Sequence, residues 1–309
     1  MSPDGHKFSM TVDLSVLEAL GINLYSNAAA VLSELVANAW DADATSIAIT
    51  WSADGQQVVV TDDGCGMSAS DLNSRFLTVG YQKRSVEGAT SAKWKRQFMG
   101  RKGIGKLSVF SIADVVDVYS IKGTESSGLR IVVANLRTAI VDRKEYHPDE
   151  VAVPPEYAKQ GTTIVMSKLK SHRSGLTAAA LRKRLARRFD VMDTTPAGEG
   201  GFNIVVNGKP LTYEDRQELK KLEFIWEFGQ QTLANAALPK GIGRYVFSTD
   251  VVNAAKSWRV SGWIGTAKTP SELADDEDAG SLKNIIVLAR KRPIQEGIIE
   301  KLDFSGPTR

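Results

Sequence analysis

One cysteine, Cys65, serves the whole chain of 309 residues. A single thiol excludes an internal disulfide and any cysteine-rich zinc site, and such sparing use fits a reducing compartment. No apolar run approaches the ~20 residues needed to cross a bilayer. The opening residues MSPDGHKFSM lack the apolar core of a signal peptide, so a cytoplasmic chain with no membrane partner is expected. Charge of one sign is also missing: 39 basic residues stand against 36 acidic ones, a formal +3. That excess is too small to argue for nucleic acid by itself, so partners must be argued locally. A hydrophobic content of 42% can bury one large core or two moderate ones, and two are expected.

What is present is concentrated in three stretches. In Asn27 to Asp43, NAAAVLSELVANAWDAD, the residues Leu32, Leu35, Val36 and Ala39 recur at i, i+3, i+4 and i+7. That spacing predicts a helix with one apolar stripe. Glu34, Asn38 and Asp41 are four and then three apart, so they share a ridge beside the stripe and aim a carboxylate and a carboxamide at one place. Ser46 to Trp51 and Gln57 to Thr61 read as a hairpin turning at Ala53-Asp54-Gly55, which delivers Asp62-Asp63-Gly64-Cys65-Gly66-Met67. Gly64 and Gly66 there permit positive φ and close approach of a ligand. Gly100 to Ser108, GRKGIGKLS, is a glycine-rich loop opening a presumed helix, and it offers backbone N–H groups and a positive dipole end to an anion. It is not a G-x-x-x-x-G-K-[ST] loop, because Leu107 follows Lys106.

Taken in order, E-x-x-x-N-A-x-D-A, D-x-G-x-G-M, G-x-x-G-I-G-K and the G-T-T at Gly161 resemble the motifs of the GHKL ATPases, over roughly Val12 to Leu169. That superfamily includes gyrase B, MutL, heat-shock-ninety chaperones, histidine kinases and MORC proteins, and the MORC-like and MutL-like branches look nearest. The resemblance implies an α+β fold: a GHKL (Bergerat) two-layer α/β sandwich over residues 1–195, with a lid at about 81–105, then a smaller mixed α/β transducer-like domain over 196–309.

It also implies ATP and Mg²⁺ as cofactors and distributes the roles. Glu34 is the general base for water attacking the γ-phosphate, and Asn38 gives its amide oxygen to Mg²⁺. Asp41 holds an outer water or the adenine-side turn, and Asp43 is a solvated helix end. Asp62 accepts the exocyclic amine of adenine, a group that guanine lacks at that place. Asp63 stabilises the turn. Gly64 and Gly66 let the nucleotide approach, and Met67 packs on the purine or is a plain core methionine. Gly103, Ile104, Gly105 and Leu107 grip the phosphates through their backbone, and Lys106 or Lys102 supplies a point charge. Thr162 supports Asp62 through the shared water or the adenine edge.

The remaining chain is read from its pattern. Phe8 to Leu14 alternates and is an edge strand or an arm reaching a partner subunit, and Ser15 to Leu20 is a helical turn. Ser70 to Gly80 reads as a helix capped by Ser68 or Ser70, and Leu107 to Ala113 as a second one. Val115 to Ile121, Leu129 to Leu136 and Gly161 to Ser167 read as strands, with a loop-rich excursion between Arg143 and Gln160. Leu176 to Asp190 is an amphipathic helix with Leu176, Leu181, Leu185 and Phe189 inward. Its Arg182, Lys183, Arg184, Arg187 and Arg188 form a solvated face or a polyanion surface. Thr194 to Gly201 marks a boundary, and FNIVVNG, closed by an Asn-Gly turn, opens the second segment. Strands follow at Gly243 to Thr249, Ser257 to Thr266 and Lys283 to Ala289, with an acidic break at Asp275 to Asp278 and a helix from Glu296. Lys291 is a basic strand end, or the lysine that such domains send into the neighbouring nucleotide site.

Three functions compete. An ATP-driven clamp would close its lid and pair as a homodimer, on DNA through the basic helix 176–190, in repair or antiphage defence, with further domains or subunits. A histidine kinase would need a histidine on a helix ahead of the ATP domain, and His6, His147 and His172 are not so placed. A nucleotide-sensing module without significant turnover would have little use for Glu34.

Overall fold

A computed structural model describes residues 8, 10, 28–78, 88–100, 105–170, 177–189, 195–229, 233, 235–247, 251–253, 258–273, 287–289 and 292–295. The turn expected at Ser15 to Leu20, lid residues 81–87, the break at 275–278 and the helix from Glu296 lie outside the described residues. Two compact units divide the chain: Met1–Ala178 with Asp193–Pro210, and Ala179–Met192 with Leu211–Arg309. Among the described residues no helix is long and apolar enough to cross a membrane.

In the first unit the apolar stripe makes helix α1 (Ala28–Asp41), which buries Leu32, Leu35, Val36 and Ala39 and packs against β1 and the turn Gly105–Ser111. The β-branched runs make β1 (Ser46–Trp51) and β2 (Gln57–Asp62), an antiparallel hairpin. Ser68 caps the short helical turn Ala69–Asp71 with a reciprocal bond to Asp71, and the chain continues as a wide π-type turn, Leu72–Phe76, shorter than the helix expected to Gly80. A 3₁₀ turn, Gly105–Ser111, stands where a helix was expected from Leu107.

β3 (Ala113–Lys122) and β4 (Glu125–Val132) then form a hairpin. The strand expected to reach Leu136 stops at Val132. Val133, Leu136 and Ile140, spaced i, i+3 and i+7, instead bury one face of helix α2 (Val133–Val141) against β3 and β4. β5 (Asp149–Glu150), β6 (Gly161–Leu169), β7 (Asn203–Val206) and β8 (Lys209–Pro210) complete an eight-stranded sheet of order β5-β4-β3-β6-β2-β1-β7-β8. Its pairs are antiparallel except β1 with β7.

The strand expected to open the second segment thus belongs to the first unit's sheet. Its Asn-Gly turn is as read, with φ of 46° at Asn207 and 75° at Gly208, the double positive φ of a tight hairpin. Of the N-terminal stretch, Phe8 and Met10 are buried, and Met10 bridges to Tyr146 in both directions (2.7 and 3.1 Å). That part of the arm lies on its own unit.

The second unit contains helix α3 (Ala178–Arg188), whose Leu181 and Leu185 are buried together with Phe189 just beyond it. Its basic residues are half-buried rather than a solvated face, and Arg182 spends its guanidinium on a forked pair with Asp215 (2.8 and 2.7 Å). β9 (Leu222–Phe228) lies between β10 (Gly243–Phe247) and β13 (Gly262–Ala267), while β11 (Val251–Asn253) pairs β12 (Trp258–Val260) and β14 (Val287–Ala289) pairs β15 (Arg292–Gln295). Leu219, Leu222, Ile225, Leu233 and Ala237 form the core here.

Candidate functional site

The C-terminal end of α1 is where the motif segments meet. Asp41 is buried, and its two carboxylate oxygens accept from the N–H groups of Met99 (2.7 Å) and Gly100 (3.0 Å). It therefore fastens the start of the glycine-rich loop to the helix. The next residue, Ala42, accepts at its carbonyl from Cys65 N–H (2.9 Å), inside the loop that follows β2. Asp43, at φ 60°, accepts from the N–H groups of Lys93 (2.8 Å) and Trp94 (3.1 Å). Burial pushes the Asp43 carboxyl up, but the Ser91 hydroxyl, the Lys93 and Trp94 N–H groups and the Arg96 charge together hold it below the usual range. Asp43 is thus a working anchor, not the solvated helix end that its position suggests.

β2 carries Asp62 to its place as the last residue of a strand, paired with Ile47 on β1 and Thr162 on β6. Its Oδ1 accepts from Gly64 N–H (2.9 Å). The residue as a whole is half-buried. Desolvation is the largest influence on it and raises its pKa, as does the Asp63 charge; the N–H groups of Gly64 and Thr162 pull the other way, and the carboxyl settles at about 6. Asp63 was expected to stabilise its own turn, but its carboxylate reaches back to the start of β1: it takes the N–H groups of Thr45 and Ser46 (2.7 and 2.8 Å) and the Thr45 hydroxyl (2.5 Å).

Two glycines are dictated by close packing. At Gly66 (φ 64°) a Cβ would collide with the Ile121 carbonyl, and at Gly161 (φ 123°) with the Asp62 carbonyl. The second contact draws β6 tightly onto the backbone of Asp62.

Thr162 reaches this place through its main chain, and its hydroxyl lies 3.1 Å from Ser120 Oγ. Ser120 also accepts from Met67 N–H (2.8 Å), so it holds Met67, a half-buried residue, to the sheet. Gln160 donates to the carbonyls of Gly64 (3.2 Å) and Cys65 (2.8 Å) while accepting from Gly123 N–H (3.0 Å). Nothing in the residue pattern points to Ser120 or Gln160. A serine within a strand and a glutamine before a glycine are unremarkable until their partners, tens of residues away, are known.

On α1 itself Glu34 is half-buried and Asn38 exposed. Of the glycine-rich loop residues, Gly105, Lys106 and Leu107 lie in the turn Gly105–Ser111, where Leu107 is buried. Lys102, Gly103, Ile104 and Lys291 lie outside the described residues. Part of the expected lid, residues 88–100, is fastened to α1 by Asp41 and Asp43.

Residues 25–162 match the family described as histidine kinase-, DNA gyrase B-, and HSP90-like ATPase. A protein of Herpetosiphon aurantiacus that carries the provisional name type II restriction enzyme HgiDII is 33% identical over 307 residues, 99% of this chain and 48% of that protein. The DNA mismatch repair protein MutL of Nostoc is 30% identical over 156 residues, 49% of this chain and 25% of its own length. The chain spans less than half the length of either relative.

Proposed function

Since residues 25–162 form a domain of the histidine kinase-, DNA gyrase B- and HSP90-like ATPase family, which implies ATP binding, we propose that the chain binds ATP with Mg²⁺, hydrolyses it, and uses the cycle to close a lid and pair two copies into a clamp on DNA. The observation that carries the reading is the convergence on the end of α1: one helix presents Glu34 and Asn38 and also fastens both the Asp62 loop and the glycine-rich loop.

In this reading Asp62, ionised, accepts the adenine amine, and Thr162 and Gly64 keep its carboxylate in place. Met67 rests on the purine. The loop beginning at Gly100 holds the phosphates by backbone N–H groups, with Lys102 or Lys106 adding charge. Asn38 fits a hard divalent cation: an exposed amide oxygen is the sort of single protein ligand that Mg²⁺ takes when phosphates and water fill its octahedron. When bound, the ion supplies charge neutralisation on the phosphate oxygens. Glu34, one helical turn from Asn38, takes the proton of the attacking water. Asp41 acts through the loop it anchors.

DNA as the cargo rests on the two relatives, one named as a restriction enzyme and the other as a DNA mismatch repair protein. The test is sedimentation with and without a non-hydrolysable ATP analogue and duplex DNA, alongside steady-state ATP turnover. Analogue-dependent dimers that retain DNA support the clamp. Turnover without any change in mass sinks it, and transfer of label to a histidine would make the chain a kinase.

A further inference from the structure

Residues 89–98 fold back on themselves: Ser91 N–H donates to the Arg96 carbonyl (2.8 Å), Phe98 N–H to the Ala89 carbonyl (3.2 Å), and Thr90 sits opposite Gln97. Asp43 holds the tip of this hairpin, and the Trp94 ring N–H returns a bond to the Asp43 carbonyl (3.1 Å). The returning limb is held differently. Arg96, only 6% exposed, lies over the Trp40 ring at 4.4 Å and near Phe202 at 5.6 Å. Its guanidinium donates to the carbonyls of Ala44 (2.6 Å), Gly200 (2.9 Å) and Gly201 (3.1 Å). Trp40 in turn donates to the Gln97 carbonyl (3.2 Å). Three and four residues beyond Arg96 come Met99 and Gly100, hung on Asp41.

A buried cation stacked on aromatic rings and bonded to carbonyls of two separate segments is costly to desolvate, and only a planar fork can serve both directions at once. A surface lid has no need of such a group. We propose that Arg96 is a positioning residue for the phosphate loop: it ties the stem of that loop to α1 and to the Gly200–Gly201 segment, so that the loop leaves Gly100 from a fixed point. The segment so tied is the one by which the chain re-enters the first unit at residue 193, which makes loop position dependent on a stretch more than ninety residues downstream.

This inference rests on the nucleotide reading above, and its test separates the two. Affinities for adenosine and for the magnesium complex of a non-hydrolysable ATP analogue are measured for wild type, Arg96→Lys, Asp43→Asn and the double variant. Adenosine, which has no phosphates, reports the Asp62 side alone and serves as the check on folding. Arg96→Lys should keep adenosine affinity within about twofold and lose about tenfold or more for the triphosphate, since a point charge cannot serve both carbonyl sets. Asp43→Asn should show the same selective loss, and the double variant should be no worse than the poorer single one, because both side chains serve one stem. Equal losses for the two ligands, no loss for either, or additive losses overturn the proposal. A wild type that binds adenosine and analogue with the variants indistinguishable from it removes Arg96 alone, whereas a wild type that binds neither removes the nucleotide reading as well.

Discussion

Lowering the pH from 7.5 to 5 bears on Asp62, a carboxyl of the proposed site that desolvation and the Asp63 charge raise to about 6. If only the ionised form accepts the adenine amine, affinity is unaffected at pH 7.5. One unit below the pKa about a tenth of the sites are competent, which weakens binding about tenfold, or ~1.4 kcal/mol. Adenosine is the right probe, because a terminal phosphate has its own proton near pH 6. The isolated domain should show a matching effect on stability, with its sign reversed from the usual aspartate. The folded-state pKa lies above the unfolded one, so between about pH 4 and 6 the native state holds more protons than the unfolded state. Stability from this group is complete below about pH 4 and is lost as pH rises through 6. At pH 7 Asp62→Asn should therefore be more stable than wild type by roughly 3 kcal/mol and melt later, while failing to bind adenosine. Calorimetric titration across pH with thermal melts of both proteins decides the matter. An adenosine affinity that stays flat from pH 7.5 to 5, or an Asn variant that melts earlier, refutes the argument.

Other outcomes follow from the same geometry. Glu34→Ala should bind the ATP analogue within about threefold of wild type and lose turnover by a factor of at least about 10²; retained turnover in a preparation freed of contaminating ATPases removes the general-base role. Asn38→Ala should lower affinity for ATP only when magnesium is present, so a titration in chelator that shows the same drop would argue against a metal ligand. Gly161→Ala puts a side chain at φ 123° against the Asp62 carbonyl and should cost about 3 kcal/mol or more, read as an earlier melt; an unchanged melt would mean that β6 and β2 can part there.

Much of the fold was legible because certain residues admit few alternatives. The stripe Leu32, Leu35, Val36 and Ala39 makes α1, and Asn207-Gly208 can hardly be anything but a tight hairpin. Where the reading failed, a local signal was outvoted or masked. Ile131 to Val133 is one apolar run, and nothing in it marks Val132 as the last strand residue; the helical spacing of Val133, Leu136 and Ile140 overlaps it. β9 is masked by the two glutamates that break its apolar pattern, yet Glu227 is buried and answered by Arg244 from β10, which bonds both its oxygens. The site divides the same way. Glu34, Asn38, Asp62 and the glycines were visible from residue type and spacing. Asp43, Arg96, Ser120 and Gln160 were not, since their part depends on partners 40 to 105 residues away.

The parallel pairing of β7 with β1 has a consequence for how the protein is born. Ile47 and Ile49 find their neighbours Ile204 and Val206 only after some hundred and fifty further residues have been made. On the ribosome the nascent sheet therefore waits with one flank bare, and a polypeptide stopped near residue 195 keeps that flank for good. Exposed strand edges recruit other chains, so such a shortened product is headed for precipitation, whereas one extended past Pro210 brings its own cover.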